Sequence, residues 1–151
     1  MEKQLKTMNY VVVELFNRIL FVEEKAMRDH GITLSMNEIH VLEAINNCQT
    51  KTMSDIAQKL LITPGTLTVS TKKLENKGYI CKVRDEKDKR VIRIGLTEKA
   101  FPILTIHDTF HKEMIEAFSG NLKKEELEIL SRALEQITDF FEHNNEEGCN
   151  E

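Results

Sequence analysis

Two histidines four residues apart, His107 and His111, fall one turn apart on the same helix face, a spacing that lets two imidazoles share one metal ion. Glu24 and His40 can complete such a site with a carboxylate and a third imidazole. The plainer alternative makes His40 a half-buried, hydrogen-bonded residue beside an apolar stripe, and His107 and His111 helix-surface residues. His30 and His143 have no evident partner. A second chemistry lies in the middle of the chain. From Lys51 to Gly95 there are eleven Lys and Arg against five acids, a local charge of +6, while the remainder carries −10 in a chain of net charge −4. Basic side chains that meet phosphates supply most of the non-specific affinity for nucleic acid, so this segment has the charge of a DNA reader. A solvated charged face is the alternative.

Within that segment, Thr63 followed by Pro64 marks a helix start, because proline at the first helical position gives up an N–H that would have no partner. Gly78 closes the helix as a left-handed cap, which bounds it at Pro64 to Lys77. Leu67, Thr71 and Leu74 share one face and turn inward. The candidate DNA contacts are Thr63 at the cap and Gly65, Thr66, Thr68, Val69, Lys72 and Lys73 on or near the outer face. Thr66, Thr68 and Val69 offer methyls to thymine and hydroxyls to base edges; Lys72 and Lys73 offer charge to phosphate; Gly65 permits close approach. The threonines also serve as plain helix-start chemistry.

Six helices and one hairpin must position these groups, a mainly α fold with a small β wing. Leu5 to about Arg28 carries Leu15, Ile19, Val22 and Ala26 beside Val12, Phe16 and Leu20, a face wide enough to require another helix or another subunit. Ser35 and Glu38 form a capping box before Ile39, Leu42 and Ile45. Thr52 with Asp55 opens a short helix with Ile56 and Leu60 inward. After Gly78 the period becomes alternating, with Tyr79 to Arg84 and Val91 to Leu96 reading as strands around the charged tip Asp85 to Arg90. Arg90 at that tip suits a narrow, A·T-rich minor groove, although an ion pair with Asp88 is compatible with the spacing. Thr97 is read as the cap of a helix through Phe101, Leu104, Phe110, Met114 and Phe118. Gly120-Asn121 separates it from a last helix with Leu127, Leu130, Leu134, Ile137 and Phe141. The order is that of a winged helix-turn-helix, whose second helix enters a major groove about 12 Å wide.

The stretch from Thr52 to Thr97 resembles the MarR family of winged-helix regulators, through Ser54-Asp55-Ile56-Ala57, Leu74 to Ile80, and Asp88-Lys89-Arg90 followed by Leu96-Thr97. That resemblance implies a single domain over 1–151. About 35–97 is the DNA-binding part, about 1–34 and 98–143 are N- and C-terminal dimerisation helices, and 144–151 is a flexible tail. It implies a homodimer whose two recognition helices read a pseudo-palindromic operator in double-stranded DNA, with Asp88 orienting Arg90 toward the minor groove. Phe16-Asn17, Glu23-Glu24, Asn37-Glu38 before His40, Thr63 to Thr66 and Phe110-His111 with Met114 are similar to the fatty-acid-biosynthesis repressors of that family. This implies acylated acyl carrier protein as corepressor, with its chain in an apolar tunnel. Glu24, His40, His107 and His111 resemble the site of zinc-responsive members, so zinc is the alternative effector, with no cofactor otherwise required. Phe16, Leu20, Phe21, Phe110 and Met114 are candidates for an apolar effector pocket, and plain core is the competing assignment for them.

Other classes fit less well. G-x-S-x-G, P-loop, dinucleotide-binding and H-E-x-x-H patterns are missing, so a metal-dependent enzyme is a remote alternative, as is an interaction module that does not bind DNA. Cys48, Cys81 and Cys149 form no C-x-x-C, and Cys149 sits among acids that disfavour a thiolate, which argues against redox control. Apolar runs such as Tyr10 to Val13 fall far short of the roughly 18 residues a membrane span needs. A cytoplasmic location is the resulting expectation.

Overall fold

Side-chain caps set the starts of three helices in the computed structural model, which describes residues 1–147. The elements are α1 (Glu2–Asp29), α2 (Met36–Asn47), α3 (Met53–Lys59), α4 (Pro64–Asn76), β1 (Ile80–Arg84), β2 (Ile92–Leu96), α5 (Phe101–Ser119) and α6 (Lys124–Glu147). At α2 both halves of the capping box form: Ser35 Oγ accepts from the Glu38 N–H, and Glu38 accepts from the Ser35 N–H at 2.9 Å. Thr52 and Thr63 cap α3 and α4 by accepting from the N–H groups of Asp55 and Thr66. Thr97 does otherwise than the sequence suggests. Its hydroxyl donates to the Gly78 carbonyl at 2.7 Å, and α5 begins only at Phe101 after a turn. The Gly78 carbonyl, just past the end of α4, thus takes the hydroxyl that would have capped α5.

The winged-helix core closes within Met1–Phe110, one of two compact units; the other begins at His111. Ile39, Leu42 and Ile45 of α2, Ile56 of α3, Leu67 and Leu74 of α4, and Ile94 of β2 are all fully buried. These are the stripes expected from helical spacing, and each such side chain contributes about 1.5–3 kcal/mol of apolar burial. The strands pair antiparallel from Ile80 opposite Leu96 to Arg84 opposite Ile92. β2 also bridges on its other side to Thr52, with the Ile94 N–H donating to the Lys51 carbonyl at 2.8 Å, so the wing root is tied to the α2–α3 connection.

Three helices end on the same double hydrogen bond with a left-handed residue. Gly31 after α1 (φ 73°) and Gly78 after α4 (φ 77°) are the glycines such a turn favours. After α3 the position is taken by Leu61 (φ 54°), with Leu61 N–H donating to Gln58 and Ile62 N–H to Ala57. A leucine in the left-handed region costs roughly 1–2 kcal/mol, here at the turn between the two helices of the helix-turn-helix.

Candidate functional site

On α4 the structure separates the groups that build the helix from those left for a partner. The Thr63 and Thr66 hydroxyls are 2.9 Å apart within the cap, and the Thr68 hydroxyl donates back to the Pro64 carbonyl at 2.8 Å. Thr68 is left as an acceptor, whereas of Thr63 and Thr66 one hydroxyl donates to the other and the second keeps its O–H for a partner. Val69 is 58% exposed, and Lys72 and Lys73 are exposed. A Cβ added at Gly65 would meet only Thr63 Oγ1, at 3.8 Å, so the protein itself does not require glycine there.

The wing tip is organised by two aspartates. Asp85 Oδ1 accepts from the N–H groups of Lys87 and Asp88 at 2.9 and 3.0 Å, and its Oδ2 accepts from Arg93 Nε at 2.6 Å. The Asp88 amide, the Arg93 guanidinium and the Lys87 amide together lower the Asp85 carboxyl to about 2. Asp88 Oδ1 in turn accepts from the Arg90 backbone N–H at 3.0 Å. Any orientation that Asp88 imposes on Arg90 therefore acts through the backbone, and Arg90 stays exposed. Asp85 and Arg93 were not among the residues singled out from the sequence. The signal available was Asp85 two and three residues before the amides it binds, an Asx-turn spacing.

The histidine set is rearranged by one position. The carboxylate that faces the histidines is Glu23, not Glu24. Glu24 is exposed and accepts from Arg28 Nη1 at 2.8 Å, because successive helical residues point about 100° apart. Glu23 is 1% and His107 2% exposed, with Glu23 Oε1 2.6 Å from His107 Nε2. His40 Nε2 lies 3.5 Å from the same oxygen, and its ring meets that of His107 edge-on at 5.6 Å. The Glu23–His107 contact gives each of these two buried polar side chains a hydrogen-bond partner. The donors from α1, α2 and α5 are the nitrogen and oxygen types that zinc accepts. His111 follows His107 by one turn of α5 and is half-buried.

Two of the apolar effector candidates on α1 point in different directions. Phe16 and Phe21 are each more than 60% exposed on α1, and five helical residues separate their directions by roughly 140°. Leu20 is half-buried, Phe110 packs against the core, and Met114 is half-buried in the second unit. A cavity of about 370 Å³ in the first unit is lined by other residues, among them Glu43, Asn46, Phe101, Leu104 and His107. Phe141 has a side chain outside the described part, and Cys149 lies beyond it; α6 continues to Glu147, into the segment read as a tail. Cys48 is buried and Cys81 exposed.

A short helix, a tight turn, an exposed second helix and a braced hairpin together define a winged helix-turn-helix regulator of transcription. The chain belongs to the SarA/Rot family of transcriptional regulators, whose pattern matches residues 25–105. Its structure is similar to that of Streptococcus pneumoniae FabT in complex with DNA, with a TM-score of 0.87 and 33% identity over 92% of this chain and 98% of that one. It also resembles a MarR family transcription regulator of 16% identity, at a TM-score of 0.82 over 96% of this chain and 95% of that one, a likeness of fold. In sequence it is 28% identical over 116 residues to the transcriptional regulator ZitR of Lactococcus lactis subsp. cremoris, covering 75% of this chain and 79% of that one. The relatives are regulators of transcription, not enzymes. No helix among the described residues is long and apolar enough to cross a membrane.

Proposed function

We propose that the chain is a cytoplasmic, homodimeric repressor that reads a pseudo-palindromic operator with α4 and enters the adjacent minor groove with Arg90. The observation that carries this reading is the α4 surface, where Gly65, Val69, Lys72 and Lys73 are exposed while Leu67, Thr71 and Leu74 are buried. Small and apolar groups toward the helix start suit base edges, and lysines a turn later suit phosphates. The dimer is supported by apolar residues that the single chain leaves uncovered on α1 and α6. The sequence resemblance to the fatty-acid-biosynthesis repressors is what suggests control of fatty-acid synthesis with acylated acyl carrier protein as corepressor; the DNA complex of FabT, at 33% identity, supports the DNA-binding part of the reading. An effector of this kind acts only by binding one dimer geometry better than another.

A second reading, response to zinc, is favoured by the buried Glu23 and His107 with the half-buried His40 beside them. Zinc bound there would tie α1, α2 and α5 to one another, with neutral imidazoles and an ionised carboxylate as donors. Titrating metal-stripped protein into a fluorescent duplex from upstream of its own gene, with zinc or with long-chain acylated acyl carrier protein, separates the two. Tighter binding with the carrier alone supports the lipid reading, and tighter binding with zinc alone supports the metal reading. No preference for that duplex over a scrambled one overturns the operator reading.

A further inference from the structure

We infer that Arg93 is a positioning residue for DNA recognition: it latches the wing to the α2–α3 connection and thereby sets where Arg90 stands. The inference rests on the reading that Arg90 enters the groove. Arg93 lies on β2 opposite Val83, and on its other side it bridges to Thr52. Its guanidinium faces two ways. Nε donates to Asp85 Oδ2 at 2.6 Å, and Nη1 donates to the Thr50 carbonyl. The Thr50 hydroxyl donates to Asp55 in the first turn of α3, and the same carboxylate oxygen accepts from Thr52 at 2.8 Å. One planar cation thus joins the wing turn to the start of the helix-turn-helix, a task for the rigid fork of arginine rather than the point charge of lysine.

The other end of the relay reaches Arg90 in short steps. Asp85 holds the Lys87 and Asp88 amides, the Asp88 carbonyl accepts from the Val91 N–H at 2.9 Å, and the Asp88 carboxylate accepts from the Arg90 N–H. The Arg90 and Val91 amides are therefore held by Asp88, Asp88 is held by Asp85, and Asp85 is tied through Arg93 to Thr50 ahead of α3. With its carboxyl lowered to about 2, Asp85 stays ionised wherever the protein works.

The test measures affinity for the upstream duplex and for a scrambled one, using the full chain and the variants Arg90→Ala, Arg93→Ala, Arg93→Lys, Asp85→Asn and Arg90→Ala/Arg93→Ala. Arg90→Ala should weaken specific binding about tenfold. Arg93→Ala should match it, Arg93→Lys should be no better than Arg93→Ala, and the double variant should lose no more than either single one. A wild-type-like Arg93→Lys, or an Arg93 loss that adds to that of Arg90, would mean that Arg93 meets phosphate itself and overturns the proposal. Unchanged binding by Arg90→Ala alone would overturn the groove reading, and the latch with it. Thermal melts check folding; if Arg93→Ala is unfolded, Asp85→Asn takes its place in the same cycle with Arg90→Ala, and additivity there is equally fatal.

Discussion

The winged-helix core and the two long terminal helices solve the burial problem in opposite ways. In the first, α2, α3, α4 and the strands close one core in which Ile39, Leu42, Ile45, Leu67, Leu74 and Ile94 are fully buried. On α1, by contrast, Val12, Leu15, Phe16, Phe21 and Val22 are all exposed, and on α6 so are Leu127, Leu130, Leu134 and Ile137. The polar side of α1 is meanwhile laced with pairs at four-residue spacing, Glu2–Lys6, Glu14–Arg18, Glu24–Arg28 and Lys25–Asp29. Such pairs support a helix by only about 0.2–0.5 kcal/mol each, too little to stand in for a missing apolar partner. The winged helix closes its core within one chain, whereas the long helices leave apolar faces uncovered.

The largest effect that separates the two regions should come from Leu42→Ala. Removing a fully buried leucine from a closed core is expected to cost about 2–5 kcal/mol, with a fall in the thermal midpoint that does not depend on protein concentration. A loss below about 1 kcal/mol would mean that the core is looser than its burial suggests. Leu134→Asp on α6 should do the reverse. It places a charge on a face exposed in the single chain, so the winged helix keeps its fold while self-association weakens by tenfold or more, about 1.4 kcal/mol or above. Sedimentation over a concentration series measures this, and an unshifted dimer would move the interface away from that face. Smaller again is Lys72→Ala, for which binding should weaken alike on specific and scrambled duplexes and the salt slope should fall by about 1. A loss confined to the specific duplex would make Lys72 a reader of bases.

Periodicity made the closed part legible because its stripes bury what they expose to a regular count: Ile39, Leu42 and Ile45, then Leu67, Thr71 and Leu74. Caps were legible where side chain and backbone lie three residues apart, as at Ser35, Thr52 and Thr63. Three features escaped for one shared reason, that each depends on a group far away in sequence. Thr97 is drawn off to Gly78, Arg93 to Thr50, and Glu23, rather than its neighbour, to His107. Motif spacing placed an acid near the histidines, but one residue of helix decides whether it meets a core or Arg28. Leu61 escaped differently. No spacing marks a left-handed leucine, and Leu61→Gly is expected to stabilise the protein by about 0.5–1 kcal/mol, the relief of strain less the entropy glycine adds to the unfolded chain. No gain in thermal midpoint would show that contacts of the leucine side chain offset its backbone.

The smallest effect concerns acid. The Asp85 carboxyl sits at about 2 rather than the usual 3.8, so its contribution to stability is present in full above the unfolded value and is lost as pH falls through the folded one. Glu38 shifts in the same direction. Burial pushes its carboxyl up, but Lys77, 2.6 Å away, and the Ser35 N–H outweigh burial and hold it below its ordinary 4.5. The two differ in what they brace, since Glu38 ties the start of α2 to the end of α4 and Asp85 ties only the wing. Between pH 5 and about 2, the thermal midpoint of the wild type should therefore fall more steeply than that of Asp85→Asn, because the amide has no proton to take up. The gap should shrink in high salt, since Asp85 is near the surface and its charge partners are screened. Parallel curves would mean that the carboxylate is not held by the wing amides and Arg93, and would loosen the wing from the closed core to which those bonds assign it.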